Sequence, residues 1–210
     1  MTKRNFAPLS CWCGIATPIL FVSIMTILGF LKPGHSPLTE PGSDVAVGWQ
    51  YGWVMDANFV AFGLLVGIFA WGIYEIIRPL LHSLRALKIG TFFVFLSGAG
   101  MVNQGLNPTD IPGFPPSILH GLLHDVGFFV VFLSIVIGMS VLGRQLRKNH
   151  ELRGLGSYSL VAAVVATGLI LTLFYESNHM PELSGLFEQV LIAWSFAWYG
   201  IIGWRLRIGN

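Results

Sequence analysis

Three features of the sequence predict an all-α membrane protein, a bundle of six transmembrane helices. The first is composition: 54% of the 210 residues are hydrophobic and 10% are charged, where a soluble domain carries about 25% charged residues. The second is the length of the apolar runs. A hydrocarbon core of about 30 Å needs about 20 helical residues, and six runs approach or exceed that. The third is the placement of charge, which separates by sign along the chain. There is no charged tail and no Ser/Pro-rich linker, so residues 1–210 read as one domain.

The first span, Ala7–Leu31, follows Lys3 and Arg4. Basic residues before an apolar run also open a signal peptide, but no A-x-A-type cleavage site follows and the run is long enough to span. Cys11 and Cys13 stand too close together for a disulfide framework and read as apolar filler rather than as a soft-metal pair. The second span, Gly52–Ile77, is entered through Trp49, Tyr51 and Trp53, an interfacial aromatic belt. The third is Ile89–Leu106. The fourth, Pro116–Gly143, starts at a Pro-Pro pair, which a first helical turn accepts because its N–H groups need no helical partner. The fifth and sixth are Ser157–Tyr175 and Gly185–Trp204. Gly63-x-x-x-Gly67, Ser97-Gly98-Ala99-Gly100 and Ala162-Ala163 are small residues that let helices approach closely.

Six spans place both termini on one side of the membrane. That side then carries Lys3, Arg4, Arg78, Arg85, Lys88, Arg144, Arg147, Lys148, Arg153, Arg205 and Arg207, leaving Lys32 alone of the 12 Lys and Arg on the other. By the positive-inside rule the termini are cytoplasmic. The net charge of +2 is too small to suggest a nucleic-acid partner.

The acids fall the other way. Glu40, Asp44, Asp56, Asp110, Asp125, Glu176, Glu182 and Glu188 lie on or toward the outer side, with His35, His120, His124 and His179. Counting about 20 residues outward from each basic anchor ends near Asp56, Asp110, His124–Asp125, Glu176 and Glu188. Five segments therefore bring ionisable groups to one depth, the outer edge of the hydrocarbon.

On the fourth helix Ser117, His120 and His124 fall at i, i+3 and i+7, on one face. Two imidazoles at i, i+4 can hold one metal ion, and zinc is the cofactor this points to. Asp110, Asp56 and His179 are at suitable depth to be a third ligand. Asp125 points about 100° away from His124, which suits proton transfer. Glu176 is a second proton acceptor, and Ser117 a hydrogen-bond donor to a developing oxyanion. The alternative is a plain polar network at the membrane surface. Glu176-x-x-His179 has the spacing of di-iron carboxylate bundles, but it occurs once and reads better as a capping outer loop. Two histidines facing the same way on one helix argue against a haem held between helices. Glu188, one turn inside, is a candidate buried partner of the layer. Glu75 can pair with Arg78 at i+3.

Gly14, Pro18 and Phe21; Pro33-Gly34-His35-Ser36-Pro37; Ser43-Asp44; Tyr51-Gly52-Trp53-Val54-Met55 with Asn58-Phe59; Asn107-Pro108-Thr109-Asp110; and Leu119-His120-Gly121 with His124-Asp125 together resemble DUF998, a family of small prokaryotic integral membrane proteins of unassigned function. The resemblance covers most of the first four spans and fades over the last two. It implies a multi-pass protein of the inner (plasma) membrane and a candidate site, but no reaction. Family members usually carry an aromatic at the position of His35, which is therefore given no site role. Intramembrane zinc hydrolases such as the alkaline ceramidases share an H-x-x-x-H and offer an analogy of chemistry.

The expected function is thus an integral membrane protein with an Asp/His site at the outer membrane edge, acting as a metal-dependent hydrolase of a lipid-like substrate. The same residues would serve a cation- or proton-linked transporter or sensor, or a non-catalytic subunit of a larger membrane complex. The expected partners are membrane lipids, a lipid-like substrate or other membrane proteins.

Overall fold

The computed structural model describes residues 3–81, 83–110, 118–179 and 181–208. Its elements are α1 (Lys3–Leu31), α2 (Gly52–Ile77), α3 (Arg85–Leu106), α4 (Ile118–Leu146), α5 (Arg153–His179) and α6 (Ser184–Ile208), joined in part by short 3-10 turns at Gly42–Ala46, Arg78–Leu80 and Pro181–Leu183. There is no strand among the described residues. Each of the six helices contains a segment long and apolar enough to cross a membrane. Helices suit that setting because they satisfy their own backbone groups where no water can.

The helices run past the predicted spans at several ends. α3 begins at Arg85 rather than Ile89, and α5 covers Arg153–His179 rather than Ser157–Tyr175. Hydropathy marks the hydrocarbon; the helix continues into the interface, where polar side chains are solvated. The expected capping loop at Glu176–His179 is the last turn of α5 instead. The predicted start of α4, Pro116 and Ser117, lies outside the described residues.

Each helix packs on its neighbours in sequence, and α6 closes back on α1. Aromatic side chains fill the middle of this ring. Phe21 meets Phe59, Phe62 and Phe196 edge-on at 5.0–5.4 Å between centroids. Tyr199 is fully buried below them, its hydroxyl sharing a hydrogen bond of 2.7 Å with Ser97. The outward faces carry Ile19, Leu64, Trp71, Phe92, Leu133 and Val164, a surface made for lipid rather than water.

Small residues set a close seam between α2 and α3. A Cβ added at Gly63 would collide with the Gly98 carbonyl and stand 2.9 Å from the Val102 nitrogen, and one at Gly98 would stand 2.7 Å from the Gly63 carbonyl oxygen. At Gly168 of α5 an added Cβ would meet nothing within 4 Å. Gly63→Ala should therefore destabilise the protein by about 1–3 kcal/mol, whereas Gly168→Ala should be neutral or stabilising by up to about 1 kcal/mol. Denaturant titration of both variants in detergent micelles checks this pair of outcomes.

Candidate functional site

The two ends of the bundle differ in charge. The end formed by the C-termini of α1, α3 and α5 and the N-termini of α2, α4 and α6 is acidic. Two hydrogen-bonded clamps organise it.

The first clamp ties α3 to α4. The C-terminal end of α3 carries three amide side chains, Asn103 and Gln104 in its last turn and Asn107 at its C-cap. Asn103 donates its Nδ2 to the Leu123 carbonyl at 2.5 Å. Asn107 donates its Nδ2 to the Asn103 carbonyl at 2.9 Å, which orients its own Oδ1 toward His120. His120 Nδ1 lies 3.0 Å from that Oδ1, and His124 Nδ1 lies 2.9 Å from the Asn107 carbonyl oxygen. A carbonyl oxygen can only accept, so both rings carry their proton on Nδ1 when neutral. His124 Nε2 is then left as an acceptor for the Gln104 amide at 3.3 Å. His124 is 5% exposed and packs edge-on against Phe59.

The second clamp ties the α1–α2 connection to α6. Leu186 N–H donates to the Leu38 carbonyl at 3.1 Å, Ser184 Oγ to the Thr39 carbonyl at 3.1 Å, and Gln189 Nε2 to the Pro37 carbonyl at 2.7 Å. Gly185 makes this approach possible, because a Cβ there would collide with the Glu40 backbone. The stitching sets Gly42–Ala46 over Glu188, whose Oε1 accepts the Gly42 N–H at 3.1 Å. Lys32 Nζ donates to the Asp44 carbonyl at 2.6 Å. Burial pushes the Asp44 carboxyl above its ordinary pKa, and the neighbouring Lys32 only partly offsets that.

Between the clamps lies a crevice of about 400 Å³. Its polar lining is Ser43, Asp44, Thr109, His124, Asp125, Ser184 and Glu188; its apolar lining is Pro41, Phe128, Phe129, Leu173 and Phe174. Phe129 and Phe174 stack at 5.7 Å and 14° between α4 and α5, and both are exposed toward the lipid side. Below the crevice a cavity of about 20 Å³ reaches Gln104 and the central phenylalanines, again past Glu188. That is room for about one water molecule.

The expected site residues are only partly gathered. His120 and His124 share the Asn107 clamp, and the Asp110 carboxylate packs against Gly121 between them in sequence. Asp125 lines the crevice beside His124. Asp56 and Glu176 are not among its lining residues. Asp56 is half-buried on α2 and Glu176 is buried on α5, and one carboxylate oxygen of each has no hydrogen-bond partner among the described residues. His179 is exposed; it stacks on Tyr175 at 4.2 Å and reaches that residue's carbonyl at 2.8 Å. Ser117 lies outside the described residues. Among the described residues no three His, Cys, Asp or Glu side chains are grouped closely enough to hold a metal ion.

Residues 15–205 match the family described as a protein of unknown function, DUF998. The chain belongs to the DUF998 family. The match extends the resemblance, seen in the first four spans, through α5 and α6. No curated protein and no solved structure matches this DUF998 chain.

Asn103, Gln104, Ser43 and Ser184 were not expected at the site. Asn103 and Asn107 could have been found as an i, i+4 amide pair closing an apolar span, where a polar side chain needs a partner. Ser43 was marked only as part of the Ser43-Asp44 pair of the family resemblance, and nothing local marks Ser184, because the place of both depends on the loop folding back over α6.

Two outcomes follow. Gln104→Ala leaves the buried His124 Nε2 without its donor and should cost about 0.5–1.5 kcal/mol, read by denaturant titration. A carboxyl whose folded pKa is raised loses stability as pH climbs from its unfolded pKa through its folded one. Asp44→Asn should therefore raise the melting temperature, and by more at neutral pH than at pH about 4, which thermal scans across pH will show.

Proposed function

We propose that this protein binds an amphiphile laterally, at the acidic end of its bundle. The crevice carries the reading. It joins a wall of carboxylates and one imidazole to a wall of phenylalanines, with an exposed Phe129–Phe174 stack on the lipid side. A molecule with a polar head and an apolar tail satisfies both walls. Among the described residues no lysine or arginine lines the crevice, so the head it suits is cationic or rich in hydrogen-bond donors, such as an amine. The segregation of Lys and Arg to the other end supports cytoplasmic termini, so that the ligand would come from the outer leaflet of the plasma membrane. Phe21, Phe62, Phe196 and Tyr199 fill the ring below, which leaves transport through the middle with less support.

A second reading, a zinc-dependent hydrolase of a lipid-like amide or ester, is favoured by one observation. Asn107 orients both imidazoles through Nδ1, the way outer-shell carbonyls orient metal-binding histidines, which leaves each Nε2 as the ligating atom. His120, His124 and Asp110 would hold the ion once Gln104 turned away from His124. A bound zinc would supply an activated water, and Asp125 would accept its proton.

Dodecylamine should raise the melting temperature of the purified protein while lauric acid does not, and Leu173→Trp, which fills the crevice, should remove the effect. Equal responses to both probes, or an unchanged response in the filled variant, would refute the amphiphile reading. For the second reading, zinc added and then dialysed should remain at one per chain and be lost in His120→Ala and His124→Ala; no retained zinc in the wild type rules it out.

A further inference from the structure

The opposite end of the bundle holds a pocket of different chemistry. α4 and α5 cross there in near backbone contact. A Cβ at Gly143 would stand 3.0 Å from the Gly156 carbonyl oxygen, and one at Gly156 would stand 2.6 Å from the Arg147 nitrogen. Beside this crossing lies a space of about 380 Å³ lined by Arg144, Arg147, Lys148, Arg153 and Leu160. Four cations line it and, among the described residues, no carboxylate does. The ion pairs His35–Glu40 and Glu75–Arg78 involve none of the four. Glu151, in the connecting turn, is exposed and is not among the residues that line the space.

Helix-end electrostatics accounts for only part of this. Arg144 and Arg147 sit at the carbonyl end of α4, where cations are favoured. Arg153 is the first residue of α5, whose first turn contains no acid. A cation at that end faces the positive pole of its own helix and is disfavoured unless an anion lies between. Lys148 also lines a neighbouring space of about 640 Å³ with Arg85 and His150. The walls are held in place by Gln145 donating to the Ser83 carbonyl at 3.2 Å and Asn149 to the Leu80 carbonyl at 3.0 Å.

We propose that the Arg144–Arg147–Lys148–Arg153 pocket is a phosphate site. Guanidinium groups match phosphate oxygens in pairs, and clusters of basic residues where helices leave the bilayer bind anionic headgroups. The phosphate is either that of an anionic phospholipid or free in solution. Leu160 on the pocket wall and the exposed Val161 and Val164 beyond it give an acyl chain a surface to follow. The site is separate from the acidic crevice and does not depend on its ligand.

The test compares three proteins: wild type, Arg147→Gln/Arg153→Gln, and the control Lys88→Gln/Arg205→Gln, which removes the same charge from the same end but outside the pocket. Each is reconstituted in phosphatidylcholine nanodiscs with and without phosphatidylglycerol, and retained lipid is counted by native mass spectrometry after extraction. A parallel arm titrates inorganic phosphate and follows the melting temperature. Wild type and control should retain phosphatidylglycerol over phosphatidylcholine, and the pocket variant should lose that preference by about tenfold or more. If phosphate protects wild type and control but not the pocket variant, while phosphatidylglycerol is not retained, the chemistry stands and the source is soluble. Equal behaviour of all three proteins, or an equal loss in the control, overturns the site. Should the double variant not fold, Arg153→Gln alone decides by the same criteria, because removing a cation from a helix N-terminus does not weaken the helix.

Discussion

Polar groups inside hydrocarbon must find partners within the protein, and this constraint shapes the acidic end. The C-terminal end of α3 would otherwise leave Asn103, Gln104 and the capping Asn107 unsatisfied at the end of an apolar span. Their partners are the Leu123 carbonyl and the two imidazoles of α4. The clamp fixes the register of α4 against α3 and the tautomer of His124, and so sets where Asp125 stands. The α1–α2 connection answers the same demand on α6, where the Pro37, Leu38 and Thr39 carbonyls take the donors of its first turns. The crevice is the space the two clamps leave between them, bordered on the lipid side by two stacked phenylalanines.

This division gives the molecule two chemically distinct ends on one apolar ring. The central aromatics hold the helices without supplying polar groups, so the ends are free to differ. At one end carboxylates line the accessible space; at the other, guanidinium and ammonium groups do. An amphiphile with a donor-rich head fits the first, and a phosphate fits the second.

The sequence revealed the six helices and their partition of charge, because length, hydropathy and sign are properties of the chain itself. It also placed His120 and His124 on one face, since helical spacing is local. It anticipated the Glu75–Arg78 pair, found at 3.2 Å, for the same reason. Shared depth proved a weaker guide. Depth carries no information about azimuth around the ring, and none of Asp56, Glu176 and His179 is among the described residues that line the crevice. Ser43 and Asp44 were visible in the sequence, as a motif pair and an outer-side acid, but their place in the crevice was not: a loop's return path depends on contacts such as Gly185 against Glu40, which no periodicity encodes.

Lateral entry of an amphiphile between α4 and α5 is the central claim, and photo-crosslinking tests it most directly. A long-chain amine bearing a diazirine near its head is irradiated with the protein in nanodiscs, and the modified residues are mapped by mass spectrometry. The account predicts labels concentrated on Phe128, Phe129, Leu173 and Phe174, suppressed by excess unlabelled amine. Labels spread evenly over the lipid-facing helices and insensitive to competition would contradict it.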